Sequence, residues 1–217
     1  MHLLPDYRVR TMLDGDVDAI VEICRLVYPD EAPYSIEQLR DHCQVFRDGQ
    51  FVAEHMPSGE VAGIQASLIV RWTAYGDEGT WERFTADGTF LNHDPSGHTL
   101  YGAEMMVHPK HQHHGLSRAL IEKTRELVRD RGLWRIRGGS RIPGYHLHAD
   151  QMTPEQYVAE VAARHLSDPV LSVHLSEDWN VFGIAHAYLP TDTESRGAAA
   201  LIEWKNPAWK PEPVARR

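Results

Sequence analysis

Cysteine is scarce in this sequence of 217 residues, basic residues are outnumbered, and long apolar runs are missing. The two cysteines, Cys24 and Cys43, suggest no disulfide framework, so we expect a reducing, cytoplasmic setting. No apolar run is long enough to span a membrane, and the first residues lack the cationic and apolar regions of a signal peptide. The 31 acidic residues exceed the 22 Lys and Arg, and this net charge of −9 disfavours nucleic acid as a main partner.

The stretch from Leu100 to Arg131 carries the strongest local pattern of the chain. Tyr101 to Val107 is a short apolar run that predicts a buried strand. After a polar loop, apolar residues recur at helical spacing from Gly115 to about Arg131, which predicts an amphipathic helix. The first N–H groups of that helix would point into the loop with no partner in the helix itself. Such a helix start is a site for phosphate.

Two cations beside this helix start favour the same interpretation. Lys110 precedes the helix and Arg118 lies in its first turn, where the helix dipole would favour acidic side chains. A bound polyanion between the cations and the helix end would account for their position.

Residues 107–117 follow the pattern Val-x-Pro-x-x-Gln-x-x-Gly-x-Ser, which resembles the acyl-CoA signature of the GNAT family of N-acetyltransferases. Ser117 replaces the smaller third residue of that signature and is itself small. The order of strand, two helices and two strands before the motif also resembles this family. The resemblance implies an α/β fold with a central mixed, mostly antiparallel sheet of about seven strands, splayed central strands and flanking helices.

The same resemblance implies acetyl-CoA as the acyl donor. Backbone groups of the strand would pair with the pantetheine arm, the N–H of Met106 would polarise the thioester carbonyl, and the loop would hold the pyrophosphate. The residues implied are Met105, Met106, Val107, Gln112, His113, His114, Gly115, Leu116, Ser117 and Arg118.

Glu104 is the candidate general base. It lies within the apolar motif strand, where burial would raise the pKa of its carboxyl group towards useful values. In related acetyltransferases an acid on this strand often has that role. The alternative is a carboxylate that pairs with an arginine of a neighbouring strand.

The family often uses a tyrosine on its last helix to protonate the departing thiolate. Residues 171–179 match that helix, and His174 stands at the position of the tyrosine. Histidine titrates near neutrality and could act as the acid, or it could be a hydrogen-bonded structural residue. Tyr145 or Tyr157, from a segment inserted at about 138–166, could reach the site instead.

A histidine cluster falls on the motif loop. A flexible loop without a nearby cysteine is poor evidence for a metal site, so we expect no metal there. The members of the cluster are His108, His111, His113 and His114.

We expect a single domain over residues 1–207, followed by a flexible tail at 208–217. Residues 75–98 form a long polar connection that is either a substrate lid or a packed surface loop. The glycine-rich residues 138–145 carry a basic residue and an aromatic and could contact phosphate or substrate, but their composition favours a structural turn. Exposed strands near the C-terminal end are compatible with a homodimer.

The leading interpretation is a cytoplasmic enzyme that moves an acetyl group from acetyl-CoA to a primary amine of a small molecule or peptide by direct attack. A non-catalytic acyl-CoA-binding sensor or scaffold is the alternative, because His174 and the inserted segment depart from the family. The C-terminal pattern resembles a subfamily sometimes joined to a carbon–nitrogen hydrolase. It does not define an acceptor.

Overall fold

A seven-stranded sheet organises the computed structural model, which describes residues 4–29, 32–76 and 79–210. The strands are β1 (Tyr7–Thr11), β2 (Gln50–His55), β3 (Glu60–Val70), β4 (Thr99–Val107), β5 (Arg135–Arg141), β6 (Asn180–Ala185) and β7 (Ala199–Lys205). They lie in the order β1-β2-β3-β4-β5-β7-β6. Only β4 and β5 pair in parallel. The expected mixed, mostly antiparallel sheet is confirmed.

Helices cover both faces of the sheet. They are α1 (Val17–Val27), α2 (Ile36–Phe46), α3 (Trp81–Thr85), α4 (Leu116–Asp130), α5 (Pro154–Ala162) and α6 (Leu171–Ser176). Side chains of β2 point alternately to the two faces of the sheet. Val52 packs in a cluster with α1 and α2 on one face, and Phe51 packs in a second cluster with α4 on the other. Leu120 of α4 is fully buried in that second cluster, which contributes about 2 kcal/mol to stability.

The central strands β4 and β5 part shortly after they meet. Their parallel pairing runs only from Thr99 to Tyr101 on β4, after which β4 continues along β3 and β5 continues along β7. Two glycines stand at the fork. A Cβ atom on Gly138 would lie 2.8 Å from the carbonyl oxygen of Gly102, so glycine lets the two backbones approach where they diverge. The splayed central strands are confirmed.

The fifth strand is longer than its composition suggests. The sequence predicts a turn over residues 138–145, but β5 runs through Gly138 and Gly139 to Arg141, so for residues 138–141 that prediction is wrong. Cross-strand pairing with β7 overrides the weak strand propensity of glycine here. The ring of Tyr188 occupies the space where a Gly139 side chain would lie.

The described part of residues 75–98 packs against the sheet. Phe84 and Phe90 are fully buried, and the Phe84 ring stacks on Tyr101 of β4 at 4.7 Å between ring centroids. These contacts favour the packed-loop interpretation of this connection over the lid.

At the C-terminal end, Trp209 lies 5.5 Å from the ring of Trp134. Residues 211–217 of the expected tail lie outside the described residues, so the tail and the domain limits stay predictions. Within the described ranges, no helix combines the length and apolar character that a bilayer span requires.

Candidate active site

A cavity of about 490 Å³ opens where β4 and β5 part. Residues 102–106 of β4 form one side of it, and residues 136–141 of β5 form the other. His174 of α6 lines the cavity on the β5 side, while Tyr34 and Trp81 line it from the connection before α2 and from α3. The fork of the sheet therefore creates a cleft that helices enclose on both sides.

The direction of the β4 amides follows from the register of the sheet. The N–H of His108 donates to the carbonyl oxygen of Ala62 at 2.9 Å, and Met106 pairs with Ile64 two positions earlier. Since amides of a strand alternate in direction, the Met106 N–H faces β3. The N–H groups of Met105 and Val107 therefore face the cleft. The sequence predicts that the Met106 N–H polarises the thioester carbonyl. In the structure the N–H groups that face the cleft belong instead to its two neighbours in the strand.

The loop before α4 has the backbone shape of an anion site. Gly115 precedes the helix with φ of 80°, and His113 has φ of 64°, so both adopt the left-handed region. The helix start leaves its first N–H groups without intrahelical acceptors. Gln112, His113 and His114 are exposed around it.

The side chains of the first α4 turn differ in their surroundings. Leu116 is buried in the core, so only its backbone can face a ligand, and Ser117 is half-buried. Arg118 is exposed, and its Nε donates to Oε1 of Glu177 at 2.6 Å. A carboxylate of the protein thus lies where the sequence predicts a bound polyanion for Arg118.

Glu104 is half-buried in the cleft, and two donors hold one of its oxygens. The Tyr28 hydroxyl donates to Glu104 Oε1 at 3.2 Å, and the Met105 N–H donates to the same atom at 3.1 Å. Tyr28 keeps some exposed area, yet protein surrounds its hydroxyl. This burial, together with the charge of Glu104, raises the Tyr28 pKa well above 10.

An ion pair between the half-buried Arg141 and the buried Asp192 lies against the Tyr28 ring. The guanidinium carbon of Arg141 lies 4.9 Å from the centre of the Tyr28 ring, and two hydrogen bonds of 2.7 and 2.6 Å join Arg141 to Asp192. Sequence reasoning did not find Tyr28 or Asp192 as site residues, and it offered Arg141 only as part of a segment that could contact phosphate or substrate. Tyr28 and Glu104 are 76 residues apart, and no local pattern marks such a pair.

His174 also reaches the cleft, and its Nδ1 lies 3.2 Å from the hydroxyl oxygen of Ser140. Although part of the residue is exposed, burial of the imidazole lowers its pKa to about 4. The ring is therefore neutral at pH 7, and a role as a charged acid would need its environment to change.

The structure does not bring the two alternative tyrosines to the cleft. The Tyr145 hydroxyl donates to the carbonyl of Met152 at 3.0 Å, and the Tyr157 hydroxyl donates to Asp168 at 2.9 Å. Neither residue lines the cavity. Of the three catalytic candidates, Glu104 and His174 share the cleft and Tyr145 lies apart from it.

Several imidazoles gather near the motif loop. The ring of His111 lies 5.1 Å from that of His55 and 5.5 Å from that of His108, and its Nδ1 is 3.0 Å from the Tyr7 hydroxyl. Within residues 4–29, 32–76 and 79–210, no three His, Cys, Asp or Glu side chains are placed to hold a metal ion.

The shape and donors of the cleft fit an acyl-CoA thioester. The Val107 N–H faces a gap that none of the described strands fills, which suits the amide-bearing pantetheine arm, and the start of α4 suits the pyrophosphate. The Met105 N–H faces the same gap but already donates to Glu104. The cavity between them has room for the acyl end.

Comparisons with known proteins agree with this fit. Over 208 residues the chain is 37% identical to the probable hydrolase YhcX of Bacillus subtilis (strain 168), which covers 96% of this chain but only 40% of that relative's length. It is 31% identical over 206 residues to the uncharacterized N-acetyltransferase YkwB of the same organism, covering 93% of this chain and 90% of the relative.

A solved structure shares the fold. The GNAT-like decarboxylase GphF, in complex with isobutyryl-CoA, superposes with a TM-score of 0.76 at 23% identity, over 92% of this chain and 99% of that one. Residues 17–138 match the model of the acetyltransferase (GNAT) family. Together with the full-length similarity to YkwB, this match shows that the chain belongs to the acetyltransferase (GNAT) family.

Proposed function

We propose that this protein is an acyl-CoA-dependent N-acyltransferase that moves an acetyl group from acetyl-CoA to a primary amine by direct attack. The observation that carries the proposal is the position of Glu104. Its carboxylate lies in the cleft, on the same strand as the Val107 amide that suits a thioester-bearing arm. The similarity to a relative named as an N-acetyltransferase, over 90% of its length, supports the same activity.

The donor side of the proposal rests on backbone groups. Val107 would bind the pantetheine arm through the N–H group that faces the gap, while the N–H of Met105 beside it holds Glu104, and the first turn of α4 would bind the pyrophosphate. Gly115 is required there because its φ of 80° suits glycine and brings the loop amides towards the phosphates. Gln112, His113, His114 and Ser117 surround the same loop.

On the acceptor side, Glu104 takes the proton that an alkylammonium must lose, either directly or through a water molecule. The neutral nitrogen then forms its bond to the acyl carbon, the carbon–sulfur bond breaks, and the thiolate leaves with the electron pair. The nitrogen loses its second proton to that thiolate or to water, which leaves the neutral amide and the free thiol. A thiol of this kind has a pKa of roughly 8.5, so its departure needs little help from an acid. A neutral His174 is compatible with that chemistry.

A second candidate function is decarboxylation of an acyl-CoA that carries a free carboxylate. The hydrogen-bonded Ser140 and His174 favour it, because they lie in the cleft where many relatives have a tyrosine acid. The likeness to a protein named a GNAT-like decarboxylase points the same way. In this reaction the bond from the α-carbon to the carboxylate breaks, carbon dioxide leaves, and the α-carbon gains a proton.

One experiment in two stages tests these functions. Acetyl-CoA should raise the melting temperature, since a ligand that binds only the folded state stabilises it by mass action. Thiol release is then measured with acetyl-CoA and a panel of amines, and mass spectrometry follows malonyl-CoA in the absence of amine. Amine-dependent release supports the acyltransferase, and conversion of malonyl-CoA to acetyl-CoA supports the decarboxylase. Stabilisation without either reaction would indicate the non-catalytic acyl-CoA-binding module.

A further inference from the structure

Four aromatic rings line the outer part of the cleft, on the side away from α4. They are Tyr28, Tyr34, Trp81 and Tyr188. Three of them have their polar atoms fixed by the protein. Trp81 Nε1 donates to the carbonyl of Ala103 at 3.0 Å, and Tyr28 donates to Glu104. The Tyr188 hydroxyl pairs with that of Tyr101 and accepts the Gly139 N–H at 3.1 Å.

Tyr34 differs from the other three. It is 9% exposed, and its buried hydroxyl has no hydrogen-bond partner among the residues that the structure describes. Its ring is confined between Trp81, at 6.1 Å between centroids, and His42, at 5.2 Å. A buried tyrosine hydroxyl normally has a partner, and one that lines a cleft can find it in a ligand.

The surroundings of this hydroxyl indicate which ligand atom it would meet. Burial raises the pKa of Tyr34 well above 10, and the negative charge of Glu104 adds to the effect. Tyr34 packs in the cluster that contains Met106, and Glu104, two positions earlier on β4, points to the same face of the sheet. The Tyr34 side chain therefore lies on the same side of the cleft as the carboxylate. An atom between these two groups would be the nitrogen that loses its proton.

The charges that line the cleft favour a cation without a carboxylate. The cationic side chains of the lining are Arg137 and Arg141, and each is held by carboxylates of the protein. Arg137 Nε donates to Glu203 at 2.7 Å, and Arg141 is held by Asp192 and by Glu194. Glu82 and Glu104 add negative charge to the wall. An ammonium group gains from this field, whereas a carboxylate on the acceptor would face acids and already paired guanidinium groups.

The size of the cleft limits the acceptor further. Its volume of about 490 Å³ lies within the range of small-molecule pockets, and the acyl end of the donor must share it. A compact amine fits beside that arm.

We infer that the acyl acceptor is a compact monoamine with an aromatic or apolar body and no carboxylate, whose nitrogen lies between the Tyr34 hydroxyl and the Glu104 carboxylate. This inference rests on the proposed acyltransferase function. Tyr34 is then a substrate-binding residue that accepts a hydrogen bond from the amine, and the rings of Tyr28, Trp81 and Tyr188 contact the body of the substrate.

Titration calorimetry on the full chain tests this assignment without turnover. The ligands are 2-phenylethylamine, its carboxylated counterpart phenylalanine, and the polycation spermidine, each with and without saturating coenzyme A. We expect 2-phenylethylamine to bind at least tenfold more tightly than the other two. Tyr34→Phe should weaken its binding about tenfold, the loss expected for a hydrogen bond to a charged group, and leave the Kd of coenzyme A unchanged.

Tyr75→Phe is the matched control. It removes a hydroxyl that accepts from Asn92 at 2.7 Å outside the cleft, so it should alter neither affinity. Tighter binding of phenylalanine or spermidine, no binding of any of the three, or an unchanged 2-phenylethylamine Kd in Tyr34→Phe would overturn the inference. Failure of coenzyme A to bind would instead overturn the proposed function. In that case the titrations of the three amines in the absence of coenzyme A still show which amine the protein prefers.

Discussion

The Tyr28 hydroxyl donates to Oε1 of Glu104 at 3.2 Å and joins the end of α1 to the middle of β4. The Met105 N–H donates to the same oxygen at 3.1 Å. Two donors from different elements thus fix the direction of one carboxylate at the wall of the cleft. A base held in this way needs little reorganisation before it accepts a proton, which is a condition for efficient proton transfer.

Replacing that carboxylate tests the base directly. We expect Glu104→Gln to lower kcat with a primary amine by about 10²–10⁴, because the amide keeps the shape and the hydrogen bond from Tyr28 but cannot take up the proton. Steady-state thiol release measures the rate. The control is Glu126→Gln, which changes an acid that pairs with Lys123 on the surface of α4. An unchanged kcat in Glu104→Gln would remove it from the base role.

The contribution of Tyr28 should depend on Glu104. We expect Tyr28→Phe to lower kcat by about tenfold, since one hydrogen bond to a charged group is lost. In the double variant with Glu104→Gln, the loss should be smaller than the product of the two single losses, because both changes affect one interaction. A double-mutant cycle in kcat measures this coupling. Independent effects would show that Tyr28 does not act through Glu104.

Local sequence patterns predict the parts of this protein that local forces determine. Ser35 and Thr153 each begin a helix with a capping box to the glutamine three residues on, and the strand, loop and helix around Gly115 follow the motif. Stabilising contacts in these elements come from residues a few positions apart. For this reason the helix starts and the donor loop could be predicted from local patterns, whereas the sheet was expected only from the resemblance to the GNAT family.

The acceptor side could not be predicted in the same way. The pairs Tyr28–Glu104 and Arg141–Asp192 join residues 76 and 51 positions apart, and only the completed sheet brings them together. Propensity was also a poor guide to β5, where pairing with β7 keeps Gly138 extended. The direction of the Met106 amide depends on the register with β3, which the sequence does not reveal.

Gly115 should be needed for the donor site more than for the fold. Its φ of 80° strains any other residue, although the space for a Cβ is open, with Leu4 at 3.7 Å. We expect Gly115→Ala to cost about 1–2 kcal/mol of unfolding free energy and to weaken acetyl-CoA binding, because the loop amides move away from the phosphates. Urea unfolding and calorimetry measure the two effects.

Gly132 offers a matched control at the other end of α4. It has φ of 63° and open space for a Cβ, so Gly132→Ala should cost similar stability and leave the Kd of acetyl-CoA unchanged. Equal losses of affinity in both variants would show that the effect comes from stability rather than from the loop.

His174 should matter little for acetyl transfer. Burial lowers its pKa to about 4, so near pH 7 the ring holds no extra proton to give to the thiolate. We expect His174→Gln, which can still pair with Ser140, to lower kcat less than tenfold and to leave the pH–rate profile between pH 6 and 8 unchanged. A loss above a hundredfold would restore the acid role. Loss of malonyl-CoA turnover alone would assign His174 to decarboxylation.

The stability of the fold should decline in mild acid because of His42. This residue is 1% exposed, its Nε2 lies 2.7 Å from the Gly88 carbonyl, and burial lowers its pKa from 6.5 to about 4. Between these two values the unfolded chain binds a proton that the native protein does not. The free energy of unfolding therefore falls as the pH drops below about 6.5, and His42 accounts for about 2 kcal/mol of loss by pH 5.

Urea unfolding at pH 7 and pH 5 can separate His42 from the other groups. His42→Gln keeps a donor for Gly88 but does not titrate, so it should lose about 2 kcal/mol less than the wild type over this interval. His98→Gln changes an exposed histidine and should follow the wild type. Burial alone would raise the pKa of Asp192, but its hydrogen bonds with Arg141 and Ser195 lower it overall. Carboxylates of this kind protonate mainly below pH 5, so they contribute little to the change between pH 7 and pH 5. If His42→Gln shows the same pH dependence as the wild type, the acid sensitivity comes from another buried group.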